Sequence, residues 1–84
     1  MSYRVELESQ ARREFLSLEQ VIQERIADVL DDLAVTPRPS GCKKLTNQEG
    51  YRARKGDYRI LYTIDDTHRI VRIYRIAHRR EVYR

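Results

Sequence analysis

Polar and apolar side chains alternate through the first residues of the chain. Tyr3, Val5 and Leu7 are separated by polar residues, so every second side chain can face a core. Alternation with a period of two is typical of a strand that is buried on one face. The pattern therefore predicts a first strand over residues 2–7.

The spacing of apolar residues then lengthens from two to four. Ala11 and Phe15 lie about one helical turn apart, and Ser9 precedes them as a candidate N-cap. A serine hydroxyl at that position accepts a hydrogen bond from one of the unpaired backbone N–H groups of the first turn. We therefore predict a short helix over residues 8–17.

A longer helix follows directly. Ser17 and Gln20 stand at the two ends of a capping-box sequence, Ser-Leu-Glu-Gln, which predicts that Ser17 begins this helix. Pro37 disfavours helical dihedral angles at Thr36 and is expected to end it there. Between these limits an apolar stripe covers one face of the helix, made of Leu18, Ile22, Ile26, Val29, Leu30 and Leu33.

The second half of the chain is predicted to be a loop followed by strands. Residues 37–50 are rich in Pro, Gly, Ser and Asn, which indicates a long loop. Strand-like runs then cover residues 51–55, 58–64 and 69–77. The order strand, helix, helix, strand, strand, strand predicts one α+β domain over residues 1–84. Its sheet is expected to be mainly antiparallel, with a helical hairpin on one face.

Short turns between these strands give a predicted register. A two-residue turn at 56–57 pairs Arg54 with Arg59, and a four-residue loop at 65–68 pairs Arg59 with Tyr74. Paired residues share a face of the sheet. The face for the helices then carries Ala53, Tyr58, Ile60, Tyr62, Ile64, Val71 and Ile73. The opposite face carries Arg52, Arg54, Arg59, Leu61, Arg72, Tyr74 and Ile76.

Four arginines on one face of a sheet favour a polyanionic ligand. Like charges directly opposite each other, as predicted for Arg54 and Arg59, destabilise a sheet, and a phosphate bound between them would reverse the sign. The planar guanidinium group also holds phosphate oxygens with two parallel hydrogen bonds. The alternative is a solvated surface on which arginine stems cover apolar groups. We favour a phosphate-binding face.

The charge distribution supports the same interpretation. Residues 1–36 contain four Lys or Arg and eight Asp or Glu, whereas residues 37–84 contain thirteen and five. The second half therefore carries a net charge of +8, although the whole chain carries only +4. An excess of this size indicates a polyanionic partner, with nucleic acid as the first candidate.

Several other classes of protein are excluded by composition. Hydrophobic residues make up 40% of the chain and lie in patterned runs, so it is not disordered. No apolar stretch approaches the ~20 residues that span a membrane, and the N-terminus lacks the apolar segment of a signal peptide. The lone Cys42 excludes an internal disulfide, and one cysteine with two histidines argues against a structural zinc site. We therefore expect a cytoplasmic protein without a membrane partner.

No self-sufficient catalytic motif is present. The chain lacks a glycine-rich phosphate loop, an HExxH motif, a Ser or Cys triad and the paired histidines of an acid–base ribonuclease. It ends in His78-Arg79-Arg80-Glu81-Val82-Tyr83-Arg84, which combines a group that titrates near neutrality with a phenol. The alternative for this segment is a frayed polar tail with one anchoring aromatic residue.

Two segments together resemble the RelE/ParE toxin superfamily, and more narrowly its RelE branch. One runs from Lys44 through Tyr51-Arg52-Ala53-Arg54 to Gly56-Asp57-Tyr58-Arg59-Ile60-Leu61-Tyr62, and the other is the C-terminal run with the preceding Ile76-Ala77. The order of elements agrees as well. The resemblance covers essentially the whole chain and implies a RelE-like, microbial-ribonuclease-like fold.

The resemblance implies a toxin of a type II toxin–antitoxin pair. RelE-type members enter the A site of the 30S ribosomal subunit and cleave mRNA there without metal or other cofactor. The ribose 2′-hydroxyl attacks the adjacent phosphorus and leaves a cyclic phosphate and a 5′-hydroxyl. The partners implied are a cognate antitoxin protein, the ribosome with its mRNA and, through the antitoxin, operator DNA. The residues that match the catalytic positions are Arg52, Arg54, Arg59, Arg79 and Tyr83.

Further cations and aromatic residues are candidates for substrate binding. These are Lys43, Lys44, Lys55, Arg72, Tyr74 and His78. Some relatives have lysines where this chain has Arg52 and Arg54, and a guanidinium group cannot serve as a general base. The base is therefore sought among Tyr83, His78 and Lys55, with Tyr83 preferred. A ParE-like inhibitor of DNA gyrase and a non-catalytic RNA-binding module remain the alternative functions.

Overall fold

A five-stranded sheet and two helices make up the described part of the protein. The structure is a computed structural model that describes residues 2–78. In chain order the elements are β1 (Arg4–Leu7), α1 (Ser9–Leu16), α2 (Gln20–Val35), β2 (Lys43–Lys44), β3 (Tyr51–Lys55), β4 (Tyr58–Asp65) and β5 (Ile70–His78). The predicted α+β class with a helical hairpin is confirmed. Neither helix in residues 2–78 is long and apolar enough to cross a membrane.

The sheet is mixed rather than purely antiparallel. Its strand order is β1-β5-β4-β3-β2, with β1 parallel to β5 and the other neighbours antiparallel. The prediction of four strands was wrong in one respect, because Lys43 and Lys44 form a short edge strand inside the segment predicted as loop. β5 therefore lies between β1 and β4, and β4 is the central strand of the sheet.

The hydrophobic core lies between the helices and one face of the sheet. Ile26 and Leu33 of α2 are fully buried and belong to one cluster with Ile60, Tyr62 and Ile73 of the sheet. Each buried aliphatic side chain of this kind stabilises the fold by roughly 1.5–3 kcal/mol relative to exposure. The opposite face of β3 and β4 is therefore left for polar side chains and ligands.

Both predicted helix caps were wrong. The N-cap of α1 is Glu8 and that of α2 is Glu19, and neither side chain caps its helix. Ser9 is already the first helical residue. Ser17 closes α1 instead of opening α2, since its hydroxyl donates to the carbonyl of Glu14 at 2.7 Å. Two residues therefore separate the end of the first helix from the cap of the second.

The register between β4 and β5 differs from the prediction. Asp65 pairs with Ile70, so the β4–β5 turn occupies residues 66–69 rather than 65–68, which moves the register by two residues. Tyr62 then pairs with Ile73 but Leu61 with Arg75, so a β-bulge at Tyr74 moves it by one more. Arg59 is consequently opposite Ala77 rather than Tyr74. A bulge exchanges the two faces of the strand beyond it. Ile76, predicted on the arginine side, is therefore buried in the core beneath the helices.

Glu14 of α1 explains where the bulge forms. Its carboxylate accepts hydrogen bonds from the backbone N–H of Ile76 at 2.7 Å and from Nε of Arg75 at 2.9 Å. β1 ends at Leu7 and pairs with β5 only as far as Ile73. Beyond that point the carboxylate of Glu14, rather than a neighbouring strand, accepts the hydrogen bond from the backbone of β5. Charge-assisted hydrogen bonds are stronger than neutral ones. Helix α1 thus fixes the second half of β5.

Removing this carboxylate is expected to destabilise the protein. Glu14→Ala leaves the N–H of Ile76 and the charge of Arg75 without their acceptor, and we expect a loss of roughly 1.5–3 kcal/mol in the free energy of unfolding. Urea denaturation followed by circular dichroism measures it. Glu24→Ala on the exposed side of α2 is the control and should change stability by less than about 0.5 kcal/mol. Equal effects of the two substitutions would contradict this role of Glu14.

A polar clamp holds the segment that leads into β2. Arg38 donates two hydrogen bonds to Asp66 and one to the hydroxyl of Tyr51, and Tyr3 also donates to Asp66. These donors lower the pKa of Asp66 to about 2, with the Arg38 hydrogen bond as the largest cause. Tyr62 donates to the carbonyl of Pro37 at 2.8 Å. The clamp thereby ties the chain before β2 to the β4–β5 turn.

Candidate functional site

Three arginines share the sheet face that the helices leave open. Arg54 is directly opposite Arg59 across the β3–β4 hairpin, and Arg52 is opposite Leu61. This pairing is the one predicted from the two-residue turn, so the register of this hairpin is confirmed. We call the surface formed by Arg52, Arg54 and Arg59 the arginine face.

The members of the arginine face differ in burial. Arg59 is only 8% exposed, Arg52 is half-buried and Arg54 is exposed. Arg59 also donates from one terminal nitrogen to the carbonyl of Tyr58 at 3.5 Å. Packing at this density restricts the rotamers of a long side chain. The guanidinium group of Arg59 is therefore held in position before any ligand binds, whereas Arg54 can adjust to one.

A small apolar cluster supports these arginines. Leu61 and Ala77 are each 3% exposed, and Leu45 and Tyr74 pack against them. Ala77 is the residue opposite Arg59, and its short side chain leaves space above the strand for the arginine stem. The bulge in β5 places this alanine there. A charge at the surface of an apolar floor acts in a lower dielectric than one in bulk water, which strengthens its attraction for an anion.

Two lysines extend the positive charge beyond β3. Lys43 of β2 pairs with Arg52, and Lys44 pairs with Tyr51. Both are exposed, and both line a cleft beside Arg52 that has a volume of about 370 Å³. Of the two predicted substrate-binding lysines of β2, Lys43 therefore continues the arginine face. Lys44 begins on the opposite side of the edge strand and reaches only the cleft.

Arg72 lies on the same side of the sheet but in different surroundings. It pairs with Thr63, four residues along β4 from Arg59, which corresponds to roughly 13 Å. Its side chain forms ion pairs with Glu6 at 3.6 Å and with Asp65 at 4.0 Å. Arg72 therefore lies on the predicted face of the sheet. Its charge is partly neutralised by Glu6 and Asp65, and it is distant from the three arginines.

Tyr74 packs under the arginine face through the apolar cluster. Its hydroxyl oxygen is buried, and none of residues 2–78 forms a hydrogen bond with it. Burial is the main cause that raises the pKa of this phenol, and the nearby Glu8 raises it further. Tyr74 is therefore neutral at physiological pH and can donate a hydrogen bond but cannot act as a base.

Lys55 and His78 lie on the other side of the sheet. Lys55 pairs with Tyr58, and Tyr58 pairs with His78, whose ring contacts it edge-on with centroids 5.7 Å apart. All three line a cavity of about 600 Å³ together with Ile22 and Ile26 of α2. The structure therefore does not bring Lys55 or His78 onto the arginine face. The bulge in β5 is the reason for His78, because it reverses the faces of the strand's second half.

Two predicted catalytic residues, Arg79 and Tyr83, lie outside the described residues. Glu14 was not predicted from the sequence, and its contact with Arg75 joins positions 61 residues apart. No local pattern marks such a contact. Among residues 2–78 there is no group of three His, Cys, Asp or Glu side chains placed to hold a metal ion.

The arrangement suits an anion with several oxygens, such as a phosphodiester. Two guanidinium groups face each other across the hairpin, a third lies two residues along β3, and a lysine continues the row at the sheet edge. Guanidinium groups bind phosphate through paired hydrogen bonds and retain their charge at every physiological pH. These residues can bind a phosphodiester and stabilise negative charge on it, but they cannot abstract a proton.

Comparison with known proteins gives consistent results. The family model described as the ParE toxin of the type II toxin–antitoxin system parDE matches residues 5–83. Toxin RelG of Mycobacterium tuberculosis is 36% identical over 86 residues, which cover 100% of this chain and 99% of the relative.

Solved structures agree with the sequence relatives. A chain of the toxin–antitoxin complex RelBE2 from Mycobacterium tuberculosis superimposes with a TM-score of 0.83 and 34% identity, covering 93% of this chain and 99% of that one. A chain of the archaeal RelE–RelB complex from Pyrococcus horikoshii OT3 also gives a TM-score of 0.83, at 28% identity, covering 98% of this chain and 100% of that one.

Proposed function

Because this chain belongs to the ParE toxin family of type II toxin–antitoxin systems, with RelE and RelG toxins among its relatives, we propose that it is a ribosome-dependent endoribonuclease that cleaves mRNA in the ribosomal A site. The observation that carries the proposal is the arginine face. A surface that only contacted another protein would not need Arg54 and Arg59 directly opposite each other on the open side of the sheet.

The proposed reaction is an internal transesterification. The 2′-oxygen of the ribose forms a bond to the adjacent phosphorus while the bond from phosphorus to the 5′-oxygen breaks. A base accepts the proton of the 2′-hydroxyl, and the departing 5′-oxygen takes up a proton. The products are a 2′,3′-cyclic phosphate and a 5′-hydroxyl, and no water is consumed in this step.

The arginine face supplies electrostatic stabilisation in this reaction. The pentacovalent phosphorane carries more negative charge than the phosphodiester, so cations fixed at the phosphate lower the barrier. Arg59 is the most suitable residue, since its burial fixes it on the central strand. Arg54 and Arg52 bind the same phosphate or its neighbour along the RNA backbone. Holding the backbone also aligns the 2′-oxygen for in-line attack.

The proton acceptor in this proposal is Tyr83. Arginines cannot deprotonate the 2′-hydroxyl, Tyr74 has a raised pKa, and Lys55 and His78 lie across the sheet. The phenol of Tyr83, preferred from the resemblance, is the candidate that these positions leave. Arg79 would add charge at the phosphate and would lower the pKa of a nearby phenol.

The proposed regulator is a cognate antitoxin. The two structural relatives described above are toxin–antitoxin complexes, RelBE2 and an archaeal RelE–RelB pair. We expect an antitoxin with an acidic or amphipathic arm that covers the arginine face, and with a basic end through which the complex binds operator DNA. Both proteins would act in the cytoplasm, where ribosomes and transcripts are found.

The first experiment is expression in a bacterial host with and without the neighbouring antitoxin gene. The wild-type chain should arrest growth within a few generations, stop incorporation of labelled amino acids first, and be rescued by the antitoxin. A loss of DNA supercoiling with continued translation would instead identify a ParE-like gyrase inhibitor. Binding of RNA without growth arrest would identify a non-catalytic RNA-binding module.

A further inference from the structure

A cleft at the edge of the arginine face is lined by side-chain amides. Its volume is about 370 Å³, at the lower end of the range of roughly 300–1,000 Å³ for small-molecule sites. That space suits one nucleoside rather than a longer segment. Apart from Arg52, its walls are formed by Lys43, Lys44, Leu45, Thr46, Asn47 and Gln48.

The loop that forms this cleft is anchored at its base. The N–H of Leu45 donates to the carbonyl of Gly50 at 2.9 Å, which closes the loop over residues 45–50. Gly50 has a φ of +119°, and a Cβ there would lie 2.6 Å from the carbonyl oxygen of Tyr62. Leu45 packs against the apolar cluster of Leu61 and Ala77. The loop therefore presents its polar tip from a fixed base.

Arg52 belongs to both the cleft and the arginine face. If a phosphate binds among Arg52, Arg54 and Arg59, a nucleoside attached to it can reach the cleft without leaving the protein surface. Lys43 continues the positive charge along the same path, because it pairs with Arg52. A base in the cleft would therefore be adjacent to the phosphate that the arginine face binds.

The amides determine which base fits. Asn and Gln side chains each offer two donors and an acceptor, and they pair with adenine through its N6 amino group and N7. RNA-binding proteins recognise unstacked bases by their edges in this way. Resting on the proposed function, we propose that Asn47 and Gln48 recognise an adenine next to the cleaved bond and so determine sequence preference. Lys43, Lys44 and Arg52 hold its phosphates.

The test is a map of cleavage sites in a translating extract. The 5′-hydroxyl ends made by the wild-type protein are sequenced, and base frequencies are counted at each position beside the break. The wild type should show a preference for adenine at one of these positions. Asn47→Ala with Gln48→Ala should reduce that preference at least about fivefold, measured as base frequencies among the cleavage sites that remain.

Two further variants test whether the change in base preference comes from the side chains of Asn47 and Gln48. Glu49→Ala is the matched control, since Glu49 lies in the same loop but does not line this cleft, and it should leave the base frequencies unchanged. Asn47→Asp keeps the shape but removes the donors, so the preference should move from adenine toward cytosine, whose N4 amino group needs an acceptor.

The outcomes separate this inference from the proposed function. Absence of cleavage by the wild type overturns the proposed function and this inference with it. Cleavage by the wild type with unchanged base frequencies in the Asn47 and Gln48 variants overturns only the inference. A thermal melt of each variant identifies loss of fold, and Asn47→Asp then decides, because a damaged loop would not produce a new base preference.

Discussion

Replacing Arg59 with methionine is expected to slow mRNA cleavage by roughly 10²–10³-fold at saturating ribosomes. Methionine retains an apolar stem at this buried position and removes the guanidinium group, with its charge and its hydrogen bond to the carbonyl of Tyr58. Arg59→Lys restores a charge without the planar fork, so it should recover part of the rate. Arg59 is 8% exposed and central in the sheet, so its guanidinium group cannot be replaced by a neighbour without rearrangement.

Single-turnover kinetics are the right measurement for this substitution, because saturating ribosomes remove binding from the rate. Arg72→Ala is the matched control from the same side of the sheet. Arg72 already forms ion pairs with Glu6 and Asp65, so its loss should weaken ribosome affinity modestly and leave the single-turnover rate unchanged. A cleavage rate for Arg59→Met within about threefold of wild type would exclude Arg59 from charge stabilisation.

The second large effect on cleavage is expected from substitutions of Arg79 and Tyr83. Tyr83→Phe removes the proposed proton acceptor, and Arg79→Ala removes the charge that would lower its pKa. Each should abolish growth arrest and reduce single-turnover cleavage by at least about 10²-fold. Circular dichroism should show that both variants retain the wild-type fold.

The pH dependence of the cleavage rate distinguishes a catalytic base at Tyr83 from a residue that only anchors the RNA. If Tyr83 takes the proton, the wild-type rate should rise with pH until the phenol is ionised, and Tyr83→Phe should lose this dependence. If Tyr83→Phe and Arg79→Ala both cleave at the wild-type rate, these residues only anchor the RNA. The chemistry would then have to come from the arginine face and from the ribosome itself.

The sequence predicted those parts of the fold that depend on local interactions. The β3–β4 pairing was correct because a two-residue turn leaves one register available, and it placed Arg52, Arg54 and Arg59 together. The apolar stripe of α2 was correct from Ile22 onward for the same reason, since helical periodicity is local, whereas Leu18 packs on the core from the turn before the helix. The arginine face was therefore predictable before the helices that cover the other side were located.

The error in the β4–β5 register has one local and one distant cause. The four-residue turn lies at 66–69, one residue later than predicted, because turn length alone does not fix its position. The bulge adds one residue more, and Glu14 stabilises it by accepting hydrogen bonds from Arg75 and Ile76, a contact that no rule about turn length contains. The consequence for the site is direct, because the bulge places Ala77 opposite Arg59 and turns His78 toward the helices.

Local sequence patterns also failed to predict the short polar strand β2 and the caps of the two helices. Lys43 and Lys44 are both exposed and show no alternation, so only their pairing with β3 identifies them as a strand. Ser17 has the sequence of a cap, yet its hydroxyl bonds to the preceding helix. Hydroxyl groups bond to whichever backbone group is nearest, and the turn between the helices decides which one that is.

The most direct test of the proposed function is primer extension on one mRNA under two conditions, translated in an extract and free of ribosomes. Wild-type protein should produce discrete ends within codons of the translated message and negligible cleavage of the free transcript, while Arg59→Met produces neither. Rapid cleavage of the free transcript, or an intact message in an extract whose translation is nevertheless inhibited, would contradict a ribosome-dependent endoribonuclease.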